Sequence, residues 1–198
     1  MQAHHPPELW QHRNMDKTNI ILTGFMGTGK STLGRLLAQK LGYRFVDTDQ
    51  LIEEQIGQSI SELFLQQGEE AFRKLEAKRV KGLATQSELV IATGGGLVLN
   101  PDNVAALSRT GRIFCLTATP EEILERISRQ QHIRPLLQDP DPLDRIKELL
   151  EQRAPSYQKF PQISTSKINV GQLLNKILSI IATENQANNA LDEPTNHD

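Results

Sequence analysis

Apolar and polar positions alternate along this chain in blocks whose spacing reads as strand, then helix, repeatedly. Short apolar runs predict strands at Asn19–Thr23, Tyr43–Asp47, Leu89–Ala92, Arg112–Thr117 and Ile163–Ser166. Between them apolar residues recur at helical spacing over Lys30–Leu41, a helical region from Gln50 to Thr85, Pro101–Arg109, Pro120–Arg129 and Pro142 to Gln152. Some helix ends carry their own signals. Gly42 is placed to stop the first helix, while Thr119, Pro120 and Glu122 supply an N-cap, a first-turn proline and a capping box. Such alternation implies an α/β fold, a parallel sheet with helices on both faces. Ligands of such sheets bind beyond the carboxyl ends of the strands. The loops after each strand are therefore where chemistry is expected.

Length and composition narrow this only a little. The chain has 198 residues, enough for one domain with a sizeable core. Residues 1–18 and 182–198 lack periodicity and are expected to be a disordered extension and a disordered polar tail. The domain is then 19–181, and Met15 competes with Met1 as the start. A formal net charge of -2 gives no basic field, so no nucleic-acid partner is expected. No apolar run approaches the roughly 18 residues that cross a bilayer, and the first residues lack a signal peptide's apolar stretch. The single cysteine, Cys115, sits in an apolar run and reads as a small buried hydrophobe. A cytoplasmic setting follows as the default.

Candidate chemistry begins after the first strand, at Gly24-Phe25-Met26-Gly27-Thr28-Gly29-Lys30-Ser31. This is the phosphate-binding pattern G-x-x-x-x-G-K-[S/T] in its required strand–loop–helix setting. Its backbone N–H groups and the helix N-terminus attract an anion. Lys30 would reach the outer phosphates, and the Ser31 hydroxyl would meet Mg2+. After the second strand, Asp47 and Asp49 are two apart on an extended segment and share a side. They can serve metal and substrate hydroxyl, or one of them, Asp49 included, can cap the next helix. After the third strand, Thr93-Gly94-Gly95-Gly96 allows close backbone approach or forms a plain turn. That strand ends without an acid, which leaves Asp47, through water, as the candidate second metal contact.

Three cationic features remain. Arg73 and Glu76 are three apart and can pair on one helix face, as a site or as surface charges. The polar run Arg126 to Arg134 is bounded by Pro135; it can close over phosphates and deliver an arginine, or be an exposed loop. Arg153-Ala154-Pro155-Ser156-Tyr157 follows the helix that starts at Pro142.

Taken together, Gly24–Ser31, Val46-Asp-Thr-Asp49, Phe72-Arg-Lys-Leu-Glu76, Thr93–Gly96, Arg134-Pro-Leu-Leu137 and Arg153-Ala-Pro-x-Tyr157 resemble the shikimate kinase family. The resemblance covers about Ile20 to Ile181. It implies a P-loop NTPase fold of CMP-kinase-like type, a three-layer sandwich with a five-stranded parallel sheet in the order 2-3-1-4-5. A lid at about 126–139 and a substrate-binding helical region come with it. The implied reaction is Mg2+-dependent phosphoryl transfer from ATP to the 3-hydroxyl of shikimate, in chorismate and aromatic amino acid biosynthesis, by a monomer. By position, the resemblance puts Gly27, Thr28, Gly29, Lys30, Ser31, Thr32 and Arg134 on ATP. It puts Asp49, Arg73, Gly95 and Arg153 on shikimate, with Ser31 and water-linked Asp47 on the metal. Lys30, Asp49 and Arg134 would be catalytic, and Glu76 would orient Arg73. The lid run is one residue longer than the family's, which leaves Arg126 and Arg129 without an assigned adenine contact. Gluconate kinase shares the loop and fold but not the whole motif set, and a nucleotide-dependent switch would need no carboxylate clamp.

Overall fold

A computed structural model of the chain describes residues 19–129 and 139–191. Five strands form a parallel sheet: β1 (Asn19–Gly24), β2 (Arg44–Asp47), β3 (Leu89–Ala92), β4 (Gly111–Thr117) and β5 (Gln162–Ser164). Their order is β2-β3-β1-β4-β5, as the resemblance implied. Registry pairs Ile21 with Ile91 and Ile113, which aligns the carboxyl ends of the three central strands.

Side chains alternate across each strand, and the core divides accordingly. Ile20, Leu22, Val90, Phe114, Leu116 and Ile163 face one layer, built by α1 (Lys30–Leu41) and α7 (Val170–Leu191). Ile21, Ile91, Ile113 and Cys115 face the other, against α3 (Ile60–Leu83), α4 (Pro101–Ser108), α5 (Pro120–Ser128) and α6 (Pro142–Tyr157). Cys115 is wholly buried, and burial pushes its thiol up to about 11, which suits a core residue rather than a nucleophile.

The structure refines the helices that the sequence predicts. The helical region 50–85 is two helices, α2 (Thr48–Ile56) and α3, split where Gly57 caps α2 and Ser59 and Glu62 form a capping box. Within α3, Gly68 takes φ 78°, ψ 173° and breaks the helix again. The N-cap of α2 is Asp47, whose carboxylate accepts the N–H groups of Asp49 and Gln50; Asp49 falls in the first turn. Helix α6 does not stop at Gln152: it continues through Pro155 to Tyr157. Burial of Tyr157, 5 % exposed, outweighs the hydrogen bond lost at one proline in a last turn.

Helix α7 was not predicted. It buries Leu173, Ile177 and Ile181 at four-residue spacing against the sheet and runs on to Leu191, past the boundary placed at 181. Other element ends differ from expectation by one or two residues.

Candidate active site

The glycine loop follows directly from β1. Gly24 has φ 128°, and a Cβ there would run into the carbonyl of Leu116 on β4. Only glycine fits a chain leaving the sheet so close to its neighbour. The loop then turns into α1 with Gly29 at the N-cap, leaving the first N–H groups of α1 directed at the loop's concavity. Lys30 Nζ donates to the carbonyls of Gly24 at 2.9 Å and Phe25 at 2.8 Å, bracing the loop from inside. Thr28 is 1 % exposed and its hydroxyl donates to the Phe25 carbonyl at 2.7 Å. Its side chain therefore holds the loop together, which leaves only its backbone for a ligand.

The two carboxylates after β2 sit beside this loop. Ser31 Oγ donates to Asp47 Oδ2 at 2.7 Å. Oxygen donors of this kind fit a small hard cation such as Mg2+, which takes one or two protein oxygens and completes its shell with water and phosphate. Asp49 is more enclosed. Its Oδ1 is buried with no hydrogen-bond partner among the described residues, and its carboxyl packs against Gly94, where any Cβ would collide with it. Burial, then the charge of Asp47, raises its pKa to about 6, with Lys30 opposing. A carboxylate held there with an unused lone pair can accept a proton from a hydroxyl placed beside it.

The glycine segment after β3 forms the next wall. The N–H of Gly94 donates to Thr48 Oγ1 at 2.9 Å, fastening this segment to the start of α2. A short 3₁₀ turn at Leu97–Leu99 carries the chain away. Arginines approach the segment from both sides. Arg73 on α3 pairs with Glu76 at 2.9 Å and Glu69 at 2.7 Å, and a Cβ on Gly96 would lie 2.5 Å from Arg73 Nη2. Glu76 is 1 % exposed, so its pairing with Arg73 is no surface accident. Burial raises the Glu76 pKa while Arg73 opposes it. Arg153 on α6 stands 3.3 Å from the same construction on Gly95, with its guanidinium 5.2 Å from the Phe25 ring centroid.

Gly27, Gly29, Lys30, Ser31, Thr32, Asp47, Asp49, Arg73, Gly95 and Arg153 thus line one cleft of about 650 Å³. Arg134, with the rest of residues 130–138, lies outside the described residues. Sequence reasoning missed Phe64 and Phe72, which stack edge to face at 5.2 Å and form an apolar wall of the cleft. Their i, i+8 spacing looks like ordinary core, and the break at Gly68 hides it further. Arg126, left open before, donates to the Gly27 carbonyl at 3.3 Å and to Thr165 Oγ1 at 2.9 Å, joining α5 to the glycine loop and the β5 end.

One end of the cleft is a phosphate cradle with a metal-compatible oxygen pair, and the other holds two arginines facing a buried carboxylate. That arrangement can seat a nucleoside triphosphate opposite a small hydroxylated acid. Comparison with known proteins agrees. A family model described as shikimate kinase matches residues 26–182. The shikimate kinase of Thermodesulfovibrio yellowstonii is 50% identical over 161 residues, 81% of this chain and 92% of its own. That of Thermus thermophilus is 44% identical over 162 residues, 81% and 88% of the two chains. Among solved structures, a shikimate kinase from Acinetobacter baumannii in complex with shikimate superimposes with TM-score 0.79 at 36% identity, covering 85% of this chain and 94% of that one. A gluconokinase from Sinorhizobium meliloti reaches TM-score 0.58 at 16% identity, covering 91% and 100%, which is a likeness of fold alone.

Proposed function

The chain belongs to the shikimate kinase family, an ATP-dependent kinase that phosphorylates shikimate on the route to the aromatic amino acids, and from that premise we propose how its cleft divides the work. The observation that carries the reading is the Oδ1 of Asp49, buried and without a partner among the described residues, standing in one cleft with Lys30, Arg73 and Arg153.

ATP lies with its phosphates in the cradle formed by Gly27, Thr28, Gly29, Lys30, Ser31 and Thr32. Shikimate lies across the glycine segment, its carboxylate between Arg73 and Arg153 and one oxygen on the N–H of Gly95. Two guanidinium groups on separate helices fix both the position and the tilt of a small ring. Asp49 accepts the proton of the 3-hydroxyl, whose oxygen forms a bond to the γ-phosphorus as the bond to the β,γ-bridging oxygen breaks and ADP leaves. A pKa near 6 keeps Asp49 ionised at neutral pH yet basic enough to take that proton. Lys30 and Arg134 neutralise charge on the moving phosphoryl group.

Ser31 would hold Mg2+ directly and Asp47 through water. When bound, the ion neutralises charge on the β- and γ-phosphate oxygens. The reading takes two small-molecule partners, ATP and shikimate, and a monomer in the cytoplasm; no helix among the described residues is long and apolar enough to cross a membrane.

The deciding assay follows ADP release with shikimate, quinate or gluconate as acceptor. Release that depends on shikimate and not on gluconate is expected. Folded protein that releases no ADP in response to shikimate overturns the reading.

A further inference from the structure

The motif around Arg153 contains a residue with no role so far, Tyr157. It lies one helical turn after Arg153, so both side chains leave α6 on the same face. Its ring is buried among the residues of one core layer. Its hydroxyl donates to the carbonyl of Gly95 at 2.7 Å and stands beside the Arg153 guanidinium: a Cβ on Gly95 would lie 3.6 Å from the hydroxyl and 3.3 Å from Arg153 Nη1. The same guanidinium rests over the face of Phe25, a buried residue of the phosphate loop. Arg153 is thus held below by an aromatic ring and at its side by a phenol that also grips the glycine segment.

We propose that Tyr157 is a positioning residue for the acceptor. It locks Arg153 to Gly95, so that the arginine for the carboxylate and the N–H for a substrate oxygen are set at one spacing before shikimate arrives. A free arginine would lose considerable rotamer entropy on binding. Here the hydroxyl of Tyr157 and the ring of Phe25 have already restricted it, which lowers the cost of binding. Burial raises the Tyr157 pKa, so its proton stays available to Gly95 through the neutral range. The inference rests on the reading that Arg153 holds the substrate carboxylate.

The test is Tyr157→Phe, which keeps the buried ring and removes only the hydroxyl. The KM for shikimate should rise about tenfold, the upper end of what one lost hydrogen bond is worth. The KM for ATP should not move, and kcat should stay within about twofold. In an Arg153→Ala background the same change should add nothing further, because the two residues act as one unit. A purely structural tyrosine would lower the melting temperature and leave shikimate KM alone; that result overturns the proposal. So does an effect that adds fully to Arg153→Ala, or one equal for both substrates. If Arg153→Ala itself leaves shikimate KM unchanged, the carboxylate reading has failed as well. A raised KM in Arg153→Ala with a normal one in Tyr157→Phe overturns this inference alone. Should Tyr157→Phe fold poorly, 3,5-difluorotyrosine at position 157 keeps the packing with a more acidic hydroxyl. Shikimate KM should then climb at a lower pH than in the unmodified chain, and identical pH profiles overturn the proposal.

Discussion

Ser31 and Asp47 meet at 2.7 Å, hydroxyl to carboxylate, although one opens α1 and the other closes β2. The contact joins the phosphate loop to the acceptor side of the cleft. Asp47 also caps α2, so one side chain has a structural task and, in the proposed reading, a metal-facing one, and a suitable substitution separates them.

Asp47→Asn keeps an oxygen acceptor that caps a helix as well as aspartate does, but removes the charge. Its melting temperature should stay within about 2 °C of the parent, while the Mg2+ concentration for half-maximal activity rises several-fold. Asp47→Ala should add a stability loss of about 1 kcal/mol from the missing cap. An unchanged Mg2+ titration in Asp47→Asn would remove Asp47 from the metal site.

The raised pKa of Asp49 has a consequence for rate and for stability. Shikimate kcat/KM should fall about tenfold per pH unit below about 6, as the base becomes protonated. For stability, a folded pKa of about 6 against 3.8 means the contribution of Asp49 is fully present below 3.8 and lost as pH rises through about 6. Asp49→Asn should therefore abolish transfer yet melt higher than the parent at pH 8, the gap closing below pH about 4. A mutant that melts lower at pH 8 contradicts the burial argument.

Arg73 should matter for binding more than for turnover. Arg73→Ala should raise the KM for shikimate about ten- to hundredfold, with a much smaller change in kcat. Gly96→Ala tests the same contact from the other side, since its Cβ would fall 2.5 Å from the flexible end of Arg73. Displaced Arg73 should weaken shikimate binding at little cost in stability. Calorimetric titration with shikimate checks both, and wild-type affinity in the pair would place the carboxylate elsewhere.

Lys30→Met should lower kcat by about a thousandfold or more, given the weight of charge stabilisation in phosphoryl transfer. Shikimate binding without nucleotide should persist, because Lys30 belongs to the donor half. Loss of both would show that its bonds to Gly24 and Phe25 hold the whole cleft open.

Gly24→Ala is the stability counterpart. At φ 128° with the Leu116 carbonyl in the way, the added methyl must force β1 from β4. A loss of about 2–4 kcal/mol, read by urea denaturation, is expected. A loss under 0.5 kcal/mol would mean the loop can leave the sheet by another path.

Much of this molecule is legible in the linear order of residues, for local reasons. The fingerprint Gly24–Ser31 declares itself because its glycines, Lys30 and Ser31 act within a single turn of chain. Five apolar runs mark five strands, and Thr119 with Glu122 marks the start of α5. Helix α7 was harder to see: the apolar stripe at Leu173, Ile177 and Ile181 means something only once a sheet face lies beneath it. Helix α6 was expected to stop at Gln152, but it runs on through Pro155 to the buried Tyr157.

By itself the sequence determined that a phosphate-binding fingerprint follows β1, that the sheet is parallel, and which side chains were available at the strand ends. Those are properties of neighbours in the chain. Only the tertiary structure decided how they are arranged, because the decisive distances join residues far apart in sequence: Gly94 to Thr48, and Tyr157 to Gly95. It turned the Thr28 hydroxyl inward, made Asp47 the cap, and left an oxygen of Asp49 buried and unpaired among the described residues. Burial and alignment are set by packing, and packing exists only when the layers close on one another.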